Sequence, residues 1–387
     1  MQMPPLYLLG MFRSLSTFWQ RISDGIEVQL LWAQFHREAR ASFAMYSKEV
    51  DSRLPEGHSR WARFLEVSRI LFWAIILKLS PARRVLLLLS CFILAIPLFT
   101  FRYQGLTFWG GAGLLILLAL ELADRVMMKR DLEIAREIQN WMMPSTAPAV
   151  AGVDIAFESR AANTVGGDYY DVLLRSPDTA RDSNTPERLL FIVADVAGKS
   201  VPAALLMATL QASVRALAGL PISLLELIER LNQYVCTQNA GGHRFSTAFA
   251  AELEAAAGRL TYVNAGHNWP VLRRAGGAVE RLEIGGLPLG IMPLARYQCG
   301  MTSLAAGDVL LIFSDGLIEA ENDNQQEFGE PGMLAQLDKA SGKSAADILA
   351  HLMRSVDSFV GPARQHDDIT CMVVRVSGGS GRAGVRT

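Results

Sequence analysis

The chain has 387 residues, half of them apolar, and a formal net charge of −1 at pH 7. This length accommodates one large or two medium domains, and the near-neutral charge, with no basic stripe carrying interleaved aromatic residues, argues against nucleic-acid binding. The four cysteines lie far apart and form no Cys-x-x-Cys pair, so neither a zinc knuckle nor a disulfide framework is indicated.

Residues 1–79 are predicted to form an N-terminal helical region without a motif that carries chemistry. Ile22, Ile26 and Leu30 recur at helical spacing among charged residues. The stretch 64–79 is apolar but interrupted by charges, which is typical of an amphipathic helix lying on a membrane surface.

Residues 80–122 are predicted to form a transmembrane helical hairpin. Two uncharged apolar runs, 85–101 and 105–120, are separated by a short link that carries Arg102. Each run reaches about 17 residues, the shortest length that crosses a bilayer as a helix. Positive residues flank both outer ends, which places both ends in the cytoplasm and the hairpin in the inner (cytoplasmic) membrane. The alternative is a buried helical pair in a soluble core, but both runs are apolar on every face.

Residues 123–145 are predicted to form a helical linker. The stretch 121–143 contains neither Gly nor Pro, and Ile134, Ile138 and Trp141 follow helical spacing before Pro144 ends the helix. A coiled coil that pairs two chains into a homodimer and a simple connector packed on the next domain both fit this pattern. The pattern covers too few heptads to separate them.

Residues 146–377 show a different pattern, in which short β-rich runs alternate with separate helical blocks. This arrangement predicts an α+β fold of two sheets covered by helices. The predicted strands are 153–158, 169–175, 189–195, 246–253, 260–264, 269–273, 279–284, 308–313 and 369–376, and the predicted helices are 202–218, 223–239, 331–339 and 344–359. Residues 176–187 are predicted to form a solvent loop and residues 378–387 a disordered tail.

Aspartates recur at the ends of predicted strands: Asp168 follows two glycines, and Asp195, Asp315 and Asp367 each adjoin an apolar run. Carboxylates that converge raise each other's pKa, and bound cations would neutralise them. Oxygen ligands alone favour Mg²⁺ or Mn²⁺ over zinc. Taken singly, ordinary turn chemistry explains the Gly-Gly-Asp run, and a helix N-cap explains Asp195.

The histidines and the glycine-lysine run do not build a competing site. No His-x-x-x-His or His-Glu-x-x-His spacing occurs, and His267 lies in a turn-like motif that is more typical of a structural role. The Gly198-Lys199-Ser200 run is not a phosphate-binding loop, because Val193 stands where that motif requires its first glycine.

Taken in order, these motifs resemble the PPM family of metal-dependent serine/threonine phosphatases, and within it the bacterial SpoIIE-like branch. Each motif is weak alone, but the ordered set is specific and spans roughly residues 134–376. The motifs are Val165-Gly166-Gly167-Asp168-Tyr169-Tyr170-Asp171, Asp195-Val196-Ala197-Gly198-Lys199, Asn264-Ala265-Gly266-His267-Asn268, Leu287-Pro288-Leu289-Gly290, Ser314-Asp315-Gly316 and Asp367-Asp368-Ile369-Thr370.

The resemblance implies a four-layer α-β-β-α sandwich with two divalent cations, Mn²⁺ or Mg²⁺, at one edge. Asp195 would bridge the cations, with the Val196 carbonyl as a further ligand. Asp168 would bind one cation, and Asp315 and Asp367 the other. The second-choice ligands or supporting groups are Asp171, Asp368 and His267. Two residues depart from the branch's usual pattern, Ala197 in place of Ser and Ser200 in place of Gly.

The resemblance also implies an activity, the hydrolysis of phosphoserine or phosphothreonine on a partner protein, such as an anti-sigma-factor antagonist-like protein. The enzyme would be tethered to the membrane with its phosphatase domain in the cytoplasm. Two other interpretations stay open. One is a catalytically weak phosphatase-fold scaffold, which has no need of converging carboxylates. The other is a metal-dependent nucleotide or phosphodiester hydrolase, which the missing basic patch disfavours.

Overall fold

The structure is a computed structural model that describes residues 76, 79–99, 105–175, 188–198, 200–238 and 245–377. The predictions for residues 1–75, for the loop 176–187 and for the tail 378–387 lie outside the described residues. The chain divides into two compact units, Met1–Asp124 and Arg125–Thr387.

Two helices dominate the described part of the first unit. Helix α1 spans Pro81–Phe99, and helix α2 spans Leu106–Met142, so that α2 begins in the first unit and ends in the second. The second arm of the predicted hairpin and the predicted linker are therefore one continuous helix. No proline interrupts residues 106–142, and the transition from apolar to charged residues leaves the backbone hydrogen bonding of the helix intact.

Small residues bring α1 and α2 close together. A Cβ atom added to Gly110 would lie 2.6 Å from the Leu94 Cγ, and one added to Gly113 would lie 2.2 Å from the Ser90 Oγ. Glycines at such positions let helix backbones approach closely, as in helix pairs within membranes. The two helices therefore form a hairpin, as the sequence predicts.

Ion pairs connect α1 and α2 at the open end of this hairpin. Arg83 of α1 contacts Glu121 and Asp124 of α2, with N–O distances of 2.9 and 2.6 Å. Among the described residues, two helices are long and apolar enough to span a membrane: α2 and a helix at Val201–Ala218, which packs on a β-sheet of the second unit. The first predicted span, α1, is not among them.

The second unit consists of two sheets and their covering helices. Its strands are β1 (Val153–Arg160), β2 (Tyr169–Arg175), β3 (Arg188–Val196), β4 (Ser246–Glu254), β5 (Arg259–Ala265), β6 (Val271–Arg273), β7 (Val279–Arg281), β8 (Gly285–Gly286), β9 (Gly300–Ser303), β10 (Val309–Phe313) and β11 (Ile369–Val376). Its helices are α3 (Val201–Ala218), α4 (Leu224–Gln238), a 3₁₀ helix (Asp315–Leu317), α5 (Gly329–Lys339) and α6 (Ala345–Val360).

Both sheets are largely antiparallel. The first sheet has the strand order β1-β11-β10-β6-β7, and the second has β2-β3-β4-β5-β8, with β9 also paired to β5. Only the short β5–β8 pairing is parallel among the named strand pairs.

Three apolar cores separate the layers, because successive side chains of a strand point to opposite faces. Phe191, Phe249 and Met372 pack between the sheets. Helices α3 and α4 cover the outer face of the second sheet, and α5 and α6 cover that of the first. The predicted four-layer α-β-β-α sandwich is confirmed.

Two short elements differ from the prediction. The predicted strand 279–284 ends at Arg281, and the chain then leaves the first sheet so that β8 pairs with β5 of the second. Strand β9 was not predicted. It is an edge strand, and its apolar Met301 is exposed. Apolar residues in β9 therefore do not mark a buried face. Apolar periodicity does not reveal short edge strands of this kind.

Candidate functional site

The ends of β2 and β3 bring two predicted site residues together. Tyr169 of β2 pairs with Ala194 of β3, so Asp168, just before β2, lies opposite Asp195 when the antiparallel register is continued. Gly167 lies against the same strand end, since an added Cβ atom would be 3.1 Å from the Val196 carbonyl oxygen and 3.7 Å from the Asp195 Oδ1.

The first sheet supplies the other two predicted ligands on loops that are bonded to each other. Asp315 follows β10, and Asp367 precedes β11. The Ser314 hydroxyl donates to the Asp368 carbonyl at 3.1 Å and accepts from the Thr370 N–H at 2.9 Å. The Ser314 and Thr370 hydroxyls were not predicted as site residues, because only the acids of those motifs carry the chemistry of a metal ligand.

Asp368 joins the two sheets. Its Oδ2 accepts from the Gly167 N–H at 2.6 Å, and its Oδ1 accepts from the Ala162 N–H at 2.7 Å. A Cβ atom on Gly166 would lie 2.8 Å from the Asp368 Oδ2, and one on Gly316 would lie 2.2 Å from the Asp368 carbonyl oxygen. Gly166, two residues before Asp168, and Gly316, next to Asp315, therefore leave the space that Asp368 occupies.

Asp168 is buried, and its Oδ2 has no hydrogen-bond partner among the described residues. Burial, reinforced by the charges of Asp195 and Asp368, raises the pKa of Asp168 well above its ordinary value, although the Thr370 and Ser314 hydroxyls act in the opposite direction. This carboxylate oxygen is buried, has no donor and lies beside other carboxylates. A hard divalent cation bound there would stabilise the ionised form of these groups.

The described residues do not form a closed ligand shell in this conformation. No three His, Cys, Asp or Glu side chains among them are arranged to hold a metal ion. The structure brings Asp168 close to Asp195 and Asp368 and carries Asp315 and Asp367 on adjoining loops. The donor chemistry and the unpartnered oxygen of Asp168 fit a divalent cation, and the predicted ligand set remains a prediction.

Asp171, unlike Asp168, has hydrogen-bond donors for both of its carboxylate oxygens. Its side chain is buried, and its Oδ2 accepts from the Tyr169 hydroxyl at 3.0 Å and from the Arg215 Nε of α3 at 2.8 Å. The Oδ1 accepts from the Val172 N–H at 3.0 Å. These bonds tie β2 to α3, on the helix-covered side of the second sheet.

His267 is buried beside the strand that pairs with β3. Its Nδ1 lies 2.9 Å from the Thr247 Oγ1, and Thr247 is the register partner of Asp195. The His267 N–H donates to the Asn264 Oδ1 at 2.7 Å. Burial lowers the pKa of His267 to about 4, so the imidazole is uncharged at neutral pH.

Two cavities flank the acids. One, of about 250 Å³, is lined by Arg136, Gln139 and Asp168 among others. The other, of about 520 Å³, is lined by Arg364 and Asp367 among others. Both open beside predicted ligands, which leaves room for a substrate on either side.

Comparison with known proteins identifies the domain. Residues 185–377 match the family described as Stage II sporulation protein E (SpoIIE). The chain carries a SpoIIE-family PPM phosphatase domain. The matched residues begin just before β3 and extend through β11. They include Asp195, Asp315 and Asp367.

Curated relatives of this chain include two bacterial proteins. The chain is 27% identical over 249 residues to phosphoserine phosphatase RsbU of Bacillus subtilis (strain 168), covering 64% of this chain and 70% of RsbU. It is 25% identical over 284 residues to protein IcfG of Synechocystis sp., covering 67% of this chain and 43% of IcfG. The chain thus spans less than half the length of IcfG.

Solved structures share the fold of the SpoIIE-family domain. The SiaA-PP2C domain of Pseudomonas aeruginosa is similar with a TM-score of 0.56 and 19% identity, over 66% of this chain and 99% of that one. The RsbU and RsbW domains of a Mycobacterium tuberculosis protein give a TM-score of 0.50 and 24% identity, over 62% and 64%. At these identities the likeness shows a PP2C-like α+β fold.

Proposed function

We propose that the SpoIIE-family domain hydrolyses phosphoserine or phosphothreonine on a protein partner. The observation that carries this proposal is the buried Asp168 carboxylate, with one unpartnered oxygen, beside Asp195 at the end of β3 and beside Ser314 and Thr370, which adjoin the loops that carry Asp315 and Asp367. These four aspartates and the Val196 carbonyl would hold two divalent cations, Mn²⁺ or Mg²⁺. Bound there, the cations would activate a water and balance charge on the phosphoryl oxygens.

The chain's own groups then have distinct tasks. Asp368 uses both carboxylate oxygens to hold the backbone that carries Asp168, so its part is to position the site. His267 is uncharged at neutral pH and hydrogen-bonded to Thr247, which suits a structural role better than protonation of a leaving oxygen.

The substrate class is supported by the relatives. RsbU and RsbP of Bacillus subtilis are both named phosphoserine phosphatases. We extend phosphoserine hydrolysis to this chain. The SpoIIE-like resemblance supports a phosphorylated anti-sigma-factor antagonist-like protein as the partner, in bacterial signalling that controls a sigma factor.

The hairpin supports attachment to the inner membrane, with the phosphatase domain in the cytoplasm. Its outward side chains are large and apolar: Phe108, Trp109, Leu115 and Leu118 of α2 are all exposed. Water would disfavour such a surface, and lipid would favour it. Pairing of two chains through α2 is part of the same proposal.

A second candidate function is a scaffold that binds partners without turnover. It is favoured by one observation, that no three metal-binding side chains among the described residues form a ready ligand group. A scaffold would bind no Mn²⁺ at these aspartates, and that difference makes the two functions separable.

The deciding experiment measures phosphate release from a phosphoserine peptide by the full chain in detergent micelles, with Mn²⁺ and with EDTA. We expect Mn²⁺-dependent release that Asp315→Asn lowers by about 100-fold or more, because a ligand to the proposed cations is lost. The matched control is Asp323→Asn, an exposed aspartate in a turn, which should keep wild-type activity. A wild-type chain that neither binds Mn²⁺ nor releases phosphate would favour the scaffold.

A further inference from the structure

The last turns of α2 hold the loop that carries Asp168. The Gln139 Nε2 donates to the Gly166 carbonyl at 2.8 Å, and the Gly166 N–H donates to the Gln139 Oε1 at 3.1 Å. One side-chain amide thus pairs with both polar groups of a single backbone residue, as a neighbouring strand would. Gly166 is buried and stands two residues before Asp168.

The same end of α2 is also bonded to the helix that follows Asp195. The side-chain amide of Gln211, which is buried in α3, donates to the Met142 carbonyl. The C-terminal end of α2 therefore contacts two segments, one beside Asp168 and one beyond Asp195. A shift of this end would therefore move or strain both the Gly166 loop and α3.

A cavity borders the Gly166 loop on the side that faces α2. It has a volume of about 250 Å³ and is lined by Gln139, Gly166 and Asp168 among others. On its other side, Asp368 holds the Gly167 N–H. Without the Gln139 amide, the loop keeps the two hydrogen bonds that Asp368 accepts, from the Gly167 and Ala162 N–H groups, but on the cavity side it has space into which it can relax.

We propose that Gln139 is a positioning residue, which fixes the Gly166–Asp168 loop and thereby sets the affinity of the aspartate site for a divalent cation. The inference rests on the proposed metal-dependent function. It makes the last turn of α2 part of the framework of the site. Groups that orient metal ligands typically change metal affinity or activity by about 10-fold to 100-fold when removed.

The test uses the full chain in detergent micelles and two variants. Gln139→Ala removes both hydrogen bonds, and Gln139→Glu keeps the size but cannot donate to the Gly166 carbonyl when ionised. The matched control is Glu137→Ala, at an exposed position on the same helix. Mn²⁺ affinity is measured by titration calorimetry without substrate, hydrogen exchange is followed at the Gly166 amide, and kcat and KM are determined separately.

We expect the Mn²⁺ Kd to rise about 10-fold or more in both Gln139 variants, with faster exchange at Gly166 and a lower kcat at saturating substrate. Glu137→Ala should match the wild type. If the wild type binds Mn²⁺ and both folded variants bind it equally well, the role of Gln139 is refuted and the proposed function stands. A wild type that binds no Mn²⁺ refutes the proposed function itself, and the inference with it.

Discussion

Ser200 occupies a backbone conformation that side chains other than glycine rarely adopt, with φ 66° and ψ −149°. The SpoIIE-like branch often has Gly at this position, just before α3. Such strain destabilises the folded chain by about 1–3 kcal/mol. Glycine removes the strain but lowers the stability by about 0.5–1 kcal/mol, because it gives the unfolded chain more conformational freedom. We expect Ser200→Gly to stabilise the domain by about 1 kcal/mol in urea unfolding.

The control for Ser200 is the same change at an ordinary helical position. Ser213→Gly, within α3, should destabilise the domain by about 0.5–1 kcal/mol. If Ser200→Gly lowers stability as Ser213→Gly does, the strain at Ser200 is not real.

Asp171 and Asp168 are both buried carboxylates, but their surroundings predict opposite effects of substitution. Asp171 has the Arg215 guanidinium and the Tyr169 hydroxyl as partners. We expect Asp171→Asn to cost about 1–3 kcal/mol of stability, since it removes a charge-assisted hydrogen bond, and to leave Mn²⁺ affinity unchanged. Asp168→Asn should weaken Mn²⁺ binding and relieve the repulsion by Asp195 and Asp368. Calorimetry and urea unfolding of both variants check this, and loss of Mn²⁺ binding in Asp171→Asn would contradict it.

His267 links stability to pH. Its pKa is about 4 in the folded chain because the ring is buried, so between pH 6.5 and pH 4 the unfolded chain takes up a proton that the folded chain does not. The stability that the neutral ring contributes is complete above pH 6.5 and is lost as pH falls towards 4, by about 3 kcal/mol at most. His267→Gln, which does not titrate, should lack this loss. Parallel pH–stability curves for the two proteins would exclude the effect.

At the scale of elements, the sequence predicted what has a strong local pattern. The continuous apolar runs of β3 and β10 and the helices α3 to α6 were predicted within a few residues of their observed bounds, whereas α2 was predicted as two elements. Pairings between distant residues carry no such pattern. The Gln139–Gly166 pair joins residues 27 positions apart in the chain, and neither residue has a side-chain chemistry that marks it. The roles of Asp368 and Ser314 likewise depend on which loops the two sheets bring together.

The helix pair of the hairpin gives a test at this scale. A side chain at Gly110 would meet Leu94 at 2.6 Å and the Ser90 carbonyl oxygen at 3.0 Å, whereas one at Gly111 would meet nothing within 4 Å. We expect Gly110→Val to separate α1 from α2 and to destabilise the pair by about 1–3 kcal/mol through overpacking. Gly111→Val makes the same chemical change next to it and should have no such effect. Thermal denaturation in detergent micelles compares the two, and equal melting temperatures would contradict the close packing.

At the scale of the whole molecule, the two units differ in how far their apolar side chains are buried. The sheets and helices of the SpoIIE-family domain bury theirs in three cores. The hairpin instead exposes many large apolar side chains along α1 and α2. Composition made this contrast visible before the structure did, since the apolar runs 85–101 and 105–120 carry no charge.

Lysine substitution distinguishes lipid from water around the hairpin. Leu115 and Leu118 are 70% and 68% exposed. In water, lysine at these positions would hardly change the free energy of folding. At the centre of a membrane helix, each lysine raises the free energy of insertion by about 2.5–3.5 kcal/mol. We therefore expect Leu115→Lys/Leu118→Lys to reduce the fraction of the full chain that stays in the membrane pellet after an alkaline wash. Leu294→Lys/Met301→Lys, at positions of the phosphatase domain that are 84% and 73% exposed, should leave that fraction unchanged. If the hairpin variant partitions as the wild type does, its apolar face does not lie in lipid, and attachment through the hairpin must be abandoned.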